Sequence, residues 1–153
     1  MLVSVESKTI MAAHGKTRKN RFGDLIAYSN HMHNHRRDCI AAGLVVINLS
    51  PTYENPDPFA KGLRRPKFDM LKVVADTVRV FATPPLRTSP DEPSDQLEAL
   101  AVIVVDYDGR KVSKLVVEPP APQPQQPIYY TNFIKRIADL YKARFIQPTM
   151  RTD

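Results

Sequence analysis

The sequence predicts an α/β fold: a βαβ unit in a mixed sheet, followed by a helix, a β-hairpin and a C-terminal helix. Three observations carry this. Residues 2–10 form a run dominated by β-branched side chains with no breaker. Residues 44–48, Leu-Val-Val-Ile-Asn, form a short continuously apolar run, the kind that suits a strand buried on both faces of a parallel sheet. Between them lies a stretch with apolar residues at helical spacing, so strand, helix and strand follow one another with a right-handed crossover expected.

The elements follow in order. Leu2–Ile10 is the first strand. Gly15, Lys16, Thr17, Arg18 and Lys19 read as a basic loop. A helix is expected from about Asn20, its candidate N-cap, to Ala42. Phe22, Leu25, Ile26, Ser29, Met32, Cys39 and Ile40 mark its apolar side. Gly43 is placed as the helix stop, with the second strand after it. Residues 50–66 carry four prolines and read as a loop. Phe68, Leu71, Val74, Ala75, Val78 and Phe81 mark a second amphipathic helix. Residues 83–94 form a proline-rich linker. Leu100–Tyr107 is a strand, Asp108-Gly109 a tight hairpin turn and Lys111–Val117 its partner strand. Residues 119–127, with five prolines and three glutamines, read as extended and stiff, which suggests that the last helix docks at a distance, on another subunit. That helix presents Phe133, Ile134, Ile137, Ala138, Leu140 and Tyr141, and the final eight residues are expected to fray. The chain divides into three regions: 1–50, the partial core with a charged strand and a basic, histidine-bearing helix; 51–118, helix, linker and hairpin; and 119–153, linker and terminal helix.

Composition bounds the function. At 153 residues the chain makes one domain, or one with an arm. It carries 22 Lys and Arg against 16 acids, a formal charge of +6, which suits an anionic partner such as nucleic acid. Cys39 is the only cysteine, so an internal disulfide and a cysteine-based zinc finger are excluded and a reducing, cytoplasmic setting is expected. No apolar run approaches the roughly 18 residues of a membrane span, and residues 1–10 lack the pattern of a secretion signal. G-x-S-x-G, P-loop, G-x-G-x-x-G and H-E-x-x-H motifs are all missing.

Polar chemistry concentrates in the first third, which holds all four histidines. In a strand, residues two apart share a face, so Glu6 and Lys8 stand side by side. A carboxylate there can ligate a hard cation such as Mg²⁺, and the ammonium can orient a water and offset charge building on a phosphate. The plainer alternative is a surface ion pair worth under about 1 kcal/mol. His14, Lys16, Arg18, Lys19, Asn20 and Arg21 follow, a set that can hold phosphates where a helix begins; a solvated loop is the alternative. His31 and His35, four apart, share a helix face and could bind zinc, contact nucleic acid or pack structurally. Asp24 could hold Arg21 or Lys8 in place, or sit near a metal. Cys39 reads as core rather than nucleophile.

A strand bearing Glu6-Ser7-Lys8, then a helix, then an apolar strand resembles the C-terminal part of the PD-(D/E)xK nuclease core, the restriction-endonuclease-like fold. Gly15, Asn20 and Arg21 sit where some members carry a Gly/Asn/Arg-rich stretch opening the helix. The resemblance covers about a third of the chain. It implies a Mg²⁺- or Mn²⁺-dependent DNA endonuclease of restriction or defence type, or a C-terminal fragment or subunit of one. Glu6 would bind metal and Glu6 and Lys8 would be catalytic. Lys16, Arg18, Lys19 and Arg21, with His14, Asn20, His31 and His35, would contact DNA, and Asp24 would support. The family's first metal-binding aspartate precedes this strand, yet only five residues precede Glu6 and none is acidic. An upstream segment, a second polypeptide or another acid such as Asp24 is expected to supply it. A truncated or split, oligomeric nuclease is the preferred reading. The alternatives are a non-catalytic nucleic-acid-binding or assembly module and a metal-binding protein built on the histidine helix.

Overall fold

The computed structural model describes residues 1–54 and 69–146. It is an α/β arrangement of one four-stranded mixed sheet and three α-helices: β1 (Val3–Ile10), α1 (His14–His35), β2 (Ile40–Asn48), α2 (Met70–Ala82), β3 (Ala99–Asp106), β4 (Lys114–Val116) and α3 (Tyr130–Tyr141), the last running into a π-helical turn at Lys142–Ile146. The strand order is β1-β2-β3-β4. The first three are parallel and β4 is antiparallel to β3. All three sequence regions therefore contribute to one layered unit.

Alternation along the strands sorts the layers. Ala41, Val45 and Ile47 of β2 and Leu100, Val102 and Val104 of β3 face one side, with Leu25 of α1 and Val74, Val78 and Phe81 of α2. Ala42, Ala99 and Ala101 face the other, against Phe133 and Ile137 of α3. Each fully buried large side chain contributes about 1.5–3 kcal/mol relative to exposure. The alanines keep α3 close to the sheet. The last helix thus docks on its own chain's sheet rather than at a distance. Its stripe is narrower than expected: Phe133 is buried while Ile134 is 48% exposed.

Several boundaries differ from those the sequence suggests. The first helix spans His14–His35 instead of Asn20–Ala42. Lys16, Arg18, Lys19 and Arg21 are therefore its first two turns, because lysine and arginine are good helix formers. The N-cap is Ala13, in left-handed conformation (φ 51°) with no side-chain cap, rather than Asn20. Gly43 does not end the helix; it lies inside β2. A Cβ there would sit 2.8 Å from Leu100 Cδ1, 3.0 Å from Leu97 Cδ1 and 3.3 Å from Leu25 Cδ2, so the glycine lets the helix layer approach the sheet. Cys39 is buried in the turn before β2, not on the helix.

Asp108-Gly109 is not a two-residue turn. Residues 107–113 form a wider loop, and β4 is three residues long. Asp108 Oδ1 accepts from the Arg110 and Lys111 N–H groups, and the Asp108 carbonyl accepts from Glu54 N–H. Gly109, at φ 93°, lies against the Glu54 backbone. α2 begins at Met70, capped by Asp69 Oδ1 accepting from Leu71 N–H at 3.1 Å. Phe68 and most of the loop at 50–66 lie outside the described residues, as do residues 147–153.

The two proline-rich segments are packed, not free. Ala121, Pro122 and Ile128 are buried, and the Ile128 carbonyl accepts from Val102 N–H at 3.1 Å. Residues 83–98 carry Arg87, which is 1% exposed. Its guanidinium donates to Glu98 Oε1 and to the carbonyls of Arg37, Pro90 and Glu92. Glu98, fully buried, also accepts from Arg144 Nη1 at 3.0 Å, His33 Nε2 at 3.0 Å and Ala41 N–H at 2.9 Å. This network locks the amino ends of β2 and β3 to the end of α1 and to the π-helical turn. At the carboxyl ends, buried Asn48 bonds to Met11, Ser50 and Tyr107, tying the three parallel strands together.

Candidate active site

β1 is an edge strand, and its alternation decides what reaches α1. Glu6 is in register with Gly43, and Lys8 with Val45, both of which face the α1 side. Glu6 and Lys8 therefore project under the helix, while Val5, Ser7 and Thr9 point to the other face and are exposed. The expected shared face is present: Lys8 Nζ lies 2.6 Å from Glu6 Oε1.

α1 brings a second carboxylate. Asp24 Oδ2 lies 4.0 Å from Lys8 Nζ and accepts from Arg21 Nη1 at 2.9 Å. Asp24 therefore pairs directly with Arg21 and only at the limit of ion-pair distance with Lys8. The Glu6, Lys8, Asp24 and Arg21 side chains are 36%, 21%, 41% and 40% exposed, so the cluster is open to a ligand. Tyr28, one turn beyond Asp24, adds a buried hydroxyl beside the Ser4 hydroxyl. Burial raises its pKa; the Ser4 hydroxyl opposes this and the Glu6 charge adds to it. Sequence reasoning missed Tyr28, although its four-residue step from Asp24 and seven-residue step from Arg21 place it on the same helix flank.

The other residues separate by role. His14 is buried, its Nε2 donating to the Asn48 carbonyl at 2.7 Å. Burial lowers its pKa, the Asn48 bond opposes this and Arg18 adds to it; the buried ring braces the β1–α1 turn and is not on the exposed side of α1. Lys16, Lys19 and Asn20 are exposed and Arg18 partly so. Lys16, Lys19 and Asn20, with Gly23, Ala27 and His31, follow one outer side of α1, spread along it at about 1.5 Å per residue, whereas Arg18 lies on the flank of Leu25 and Ser29, away from them. The His31 and His35 rings are neighbours, centroids 4.9 Å apart and tilted by 33°. Cys39 is buried, and burial raises its pKa, as suits a core thiol.

Among the described residues no group of three or more His, Cys, Asp or Glu could form a metal cage. Glu6 and Asp24 are two hard carboxylates within 4.0 Å of one lysine, partly open to solvent. Mg²⁺ characteristically takes one or two carboxylates and keeps several waters; Glu6 and Asp24 offer two, each paired here with a cation, Lys8 and Arg21. Comparison with protein-family models, with curated proteins and with solved structures gives no match to this chain.

Proposed function

We propose that the chain is a metal-dependent DNA endonuclease of restriction or defence type, or a subunit of one, with a restriction-endonuclease-like core around β1, α1 and β2. The observation that carries this reading is the convergence of Glu6 and Lys8 of β1 with Asp24 of α1, two carboxylates within 4.0 Å of one ammonium. Glu6 and Asp24 would hold Mg²⁺ or Mn²⁺, with Asp24 in place of the acid that the family carries upstream. The ion would supply Lewis-acid polarisation of the phosphate. Lys8 would orient the attacking water and offset charge building on the phosphorane oxygens. Arg21 holds the Asp24 carboxylate, and Lys16, Lys19 and Asn20 would track the DNA backbone without reading its sequence.

Glu6→Ala and Lys8→Ala are each expected to lower the DNA-cleavage rate in Mg²⁺ by at least about 10²-fold, while costing under about 1 kcal/mol of stability because the pair is partly exposed. Either folded variant cleaving at the parental rate refutes the assignment.

The exposed cationic side of α1 supports a second reading, a non-catalytic nucleic-acid-binding or assembly module. DNA affinity would then be unchanged in chelator and unchanged or higher in Glu6→Ala.

A further inference from the structure

We propose that two copies of this chain pair through β1, antiparallel about a two-fold axis at Ser7, giving one continuous sheet in which the two charged sites adjoin.

The argument starts from backbone direction. The Leu2 carbonyl accepts from Ile40 N–H at 2.8 Å. In a parallel pair the bonding residues alternate, so Leu2, Ser4, Glu6, Lys8 and Ile10 turn their N–H and C=O groups toward β2. Those of Val3, Val5, Ser7 and Thr9 point outward. Among the described residues no strand pairs with this edge. The strand has no proline or bulge along its eight residues, two of the devices that protect an edge; charged side chains are a third. What it carries is a pair of charges of opposite sign, two residues apart on one face.

Those charges select the occupant and its register. An antiparallel partner must set outward-bonding residues opposite one another. A two-fold axis at residue 6 would put Glu6 against Glu6 of the second copy, and an axis at residue 8 would put Lys8 against Lys8. An axis at Ser7 puts Glu6 opposite Lys8 on both sides of the axis. Ser7 then bonds to Ser7, and Val5 and Thr9 bond to each other. Glu6 and Lys8 occupy the non-hydrogen-bonded positions, where side chains come closest. Val5, 49% exposed in the isolated chain, gains a β-branched neighbour in Thr9. The strand is complementary to itself in this one central register, which makes a second copy the partner it fits.

In the dimer each Lys8 meets a Glu6 from both copies, so each site is completed by the partner chain. That consequence rests on the hydrolytic reading; the dimer itself does not.

Sedimentation of the full chain tests it by mass rather than activity. Glu6→Lys and Lys8→Glu, each alone, set like charges opposite one another and are expected to raise the dimer dissociation constant by about tenfold or more. The double variant Glu6→Lys/Lys8→Glu restores the pairing, and so does an equimolar mixture of the two single variants. Ser7→Pro removes an outward N–H that β2 does not use and is expected to give folded monomer. The proposal is overturned by a monomeric parent at high protein concentration, by single variants as dimeric as the parent, or by a folded double variant that stays monomeric. An inactive protein that shows the full dimer pattern would count against hydrolysis alone.

Discussion

Replacing Glu98 by Gln removes one negative charge and almost no volume, so it isolates the electrostatics of the buried network. The Glu98, Arg87, His33 and Arg144 side chains are 0%, 1%, 1% and 7% exposed. In the variant the two guanidinium groups lose their carboxylate, and an amide N–H₂ must face donors on one side. Removing one partner of a buried ion pair costs about 3–5 kcal/mol. For a chain of this size each kcal/mol moves Tm by about 2–4 °C, so Tm is expected to fall by about 6–20 °C. Thermal and urea unfolding followed by circular dichroism measure it, with the urea midpoint moving and m constant. The pH dependence gives a second arm. Burial works to raise the Glu98 pKa, but bonds from His33, Ala41 N–H and Arg144, with the His33 charge, outweigh it and hold it below the ordinary 4.5. A carboxyl with a lowered folded pKa stabilises fully above its unfolded pKa and loses that contribution as pH falls through the folded value. The parent's advantage over Glu98→Gln should thus be full at neutral pH and shrink below about pH 4.5. A variant Tm within about 2 °C of the parent at neutral pH, or a gap that widens in acid, would refute the reasoning.

Two further outcomes follow from the packing. His14 has a lowered folded pKa, so the unfolded chain takes up its proton first. Parental stability should fall as pH drops below the ordinary 6.5, and His14→Gln should lack that slope; equal slopes in urea midpoints across that range would count against it. Gly43→Ala crowds Leu100, Leu97 and Leu25 and is expected to cost about 1–3 kcal/mol, whereas unfolding free energy equal to the parent's would show that the layers have room.

How much of this was legible depends on how local each cause is. β1, the apolar run of β2, α2 and β3 were readable because their periods of 2 and 3.6 are written in neighbouring residues. The end of α1 was not. Ile40-Ala41-Ala42-Gly43 looks like a helix tail, yet Ala41, Ala42 and Gly43 are small because helices pack on both faces of the strand there. The pairing of Val3 with Ile40 decides the matter from outside the segment. Asp108-Gly109 signals a turn, but Glu54 fixes which turn. The Glu6–Lys8 pair was visible because two residues suffice to define a strand face. Asp24 was legible as a candidate partner of Arg21 or Lys8, but its distance to Lys8 was not, since that depends on how α1 lies over β1. The Glu98 network was invisible: its partners His33 and Arg144 are 65 and 46 positions away, and an acid before an apolar run reads as a strand end.

The two ionic clusters also differ in what their charges can be doing. At Glu98 the charges are sealed, every carboxylate bond is made within the chain, and loss of the group is expected to be paid in stability. At Glu6 and Lys8 the charges are partly open, and their mutual attraction is worth under about 1 kcal/mol. Stability is therefore a poor reason for those two residues to share a face. Their cheapness is what makes them informative: a substitution there leaves the sheet and its lock at the far ends of β2 and β3 intact, so a change in cleavage or in dimer mass reports on the charges themselves. The same substitution made at Glu98 would confound chemistry with unfolding.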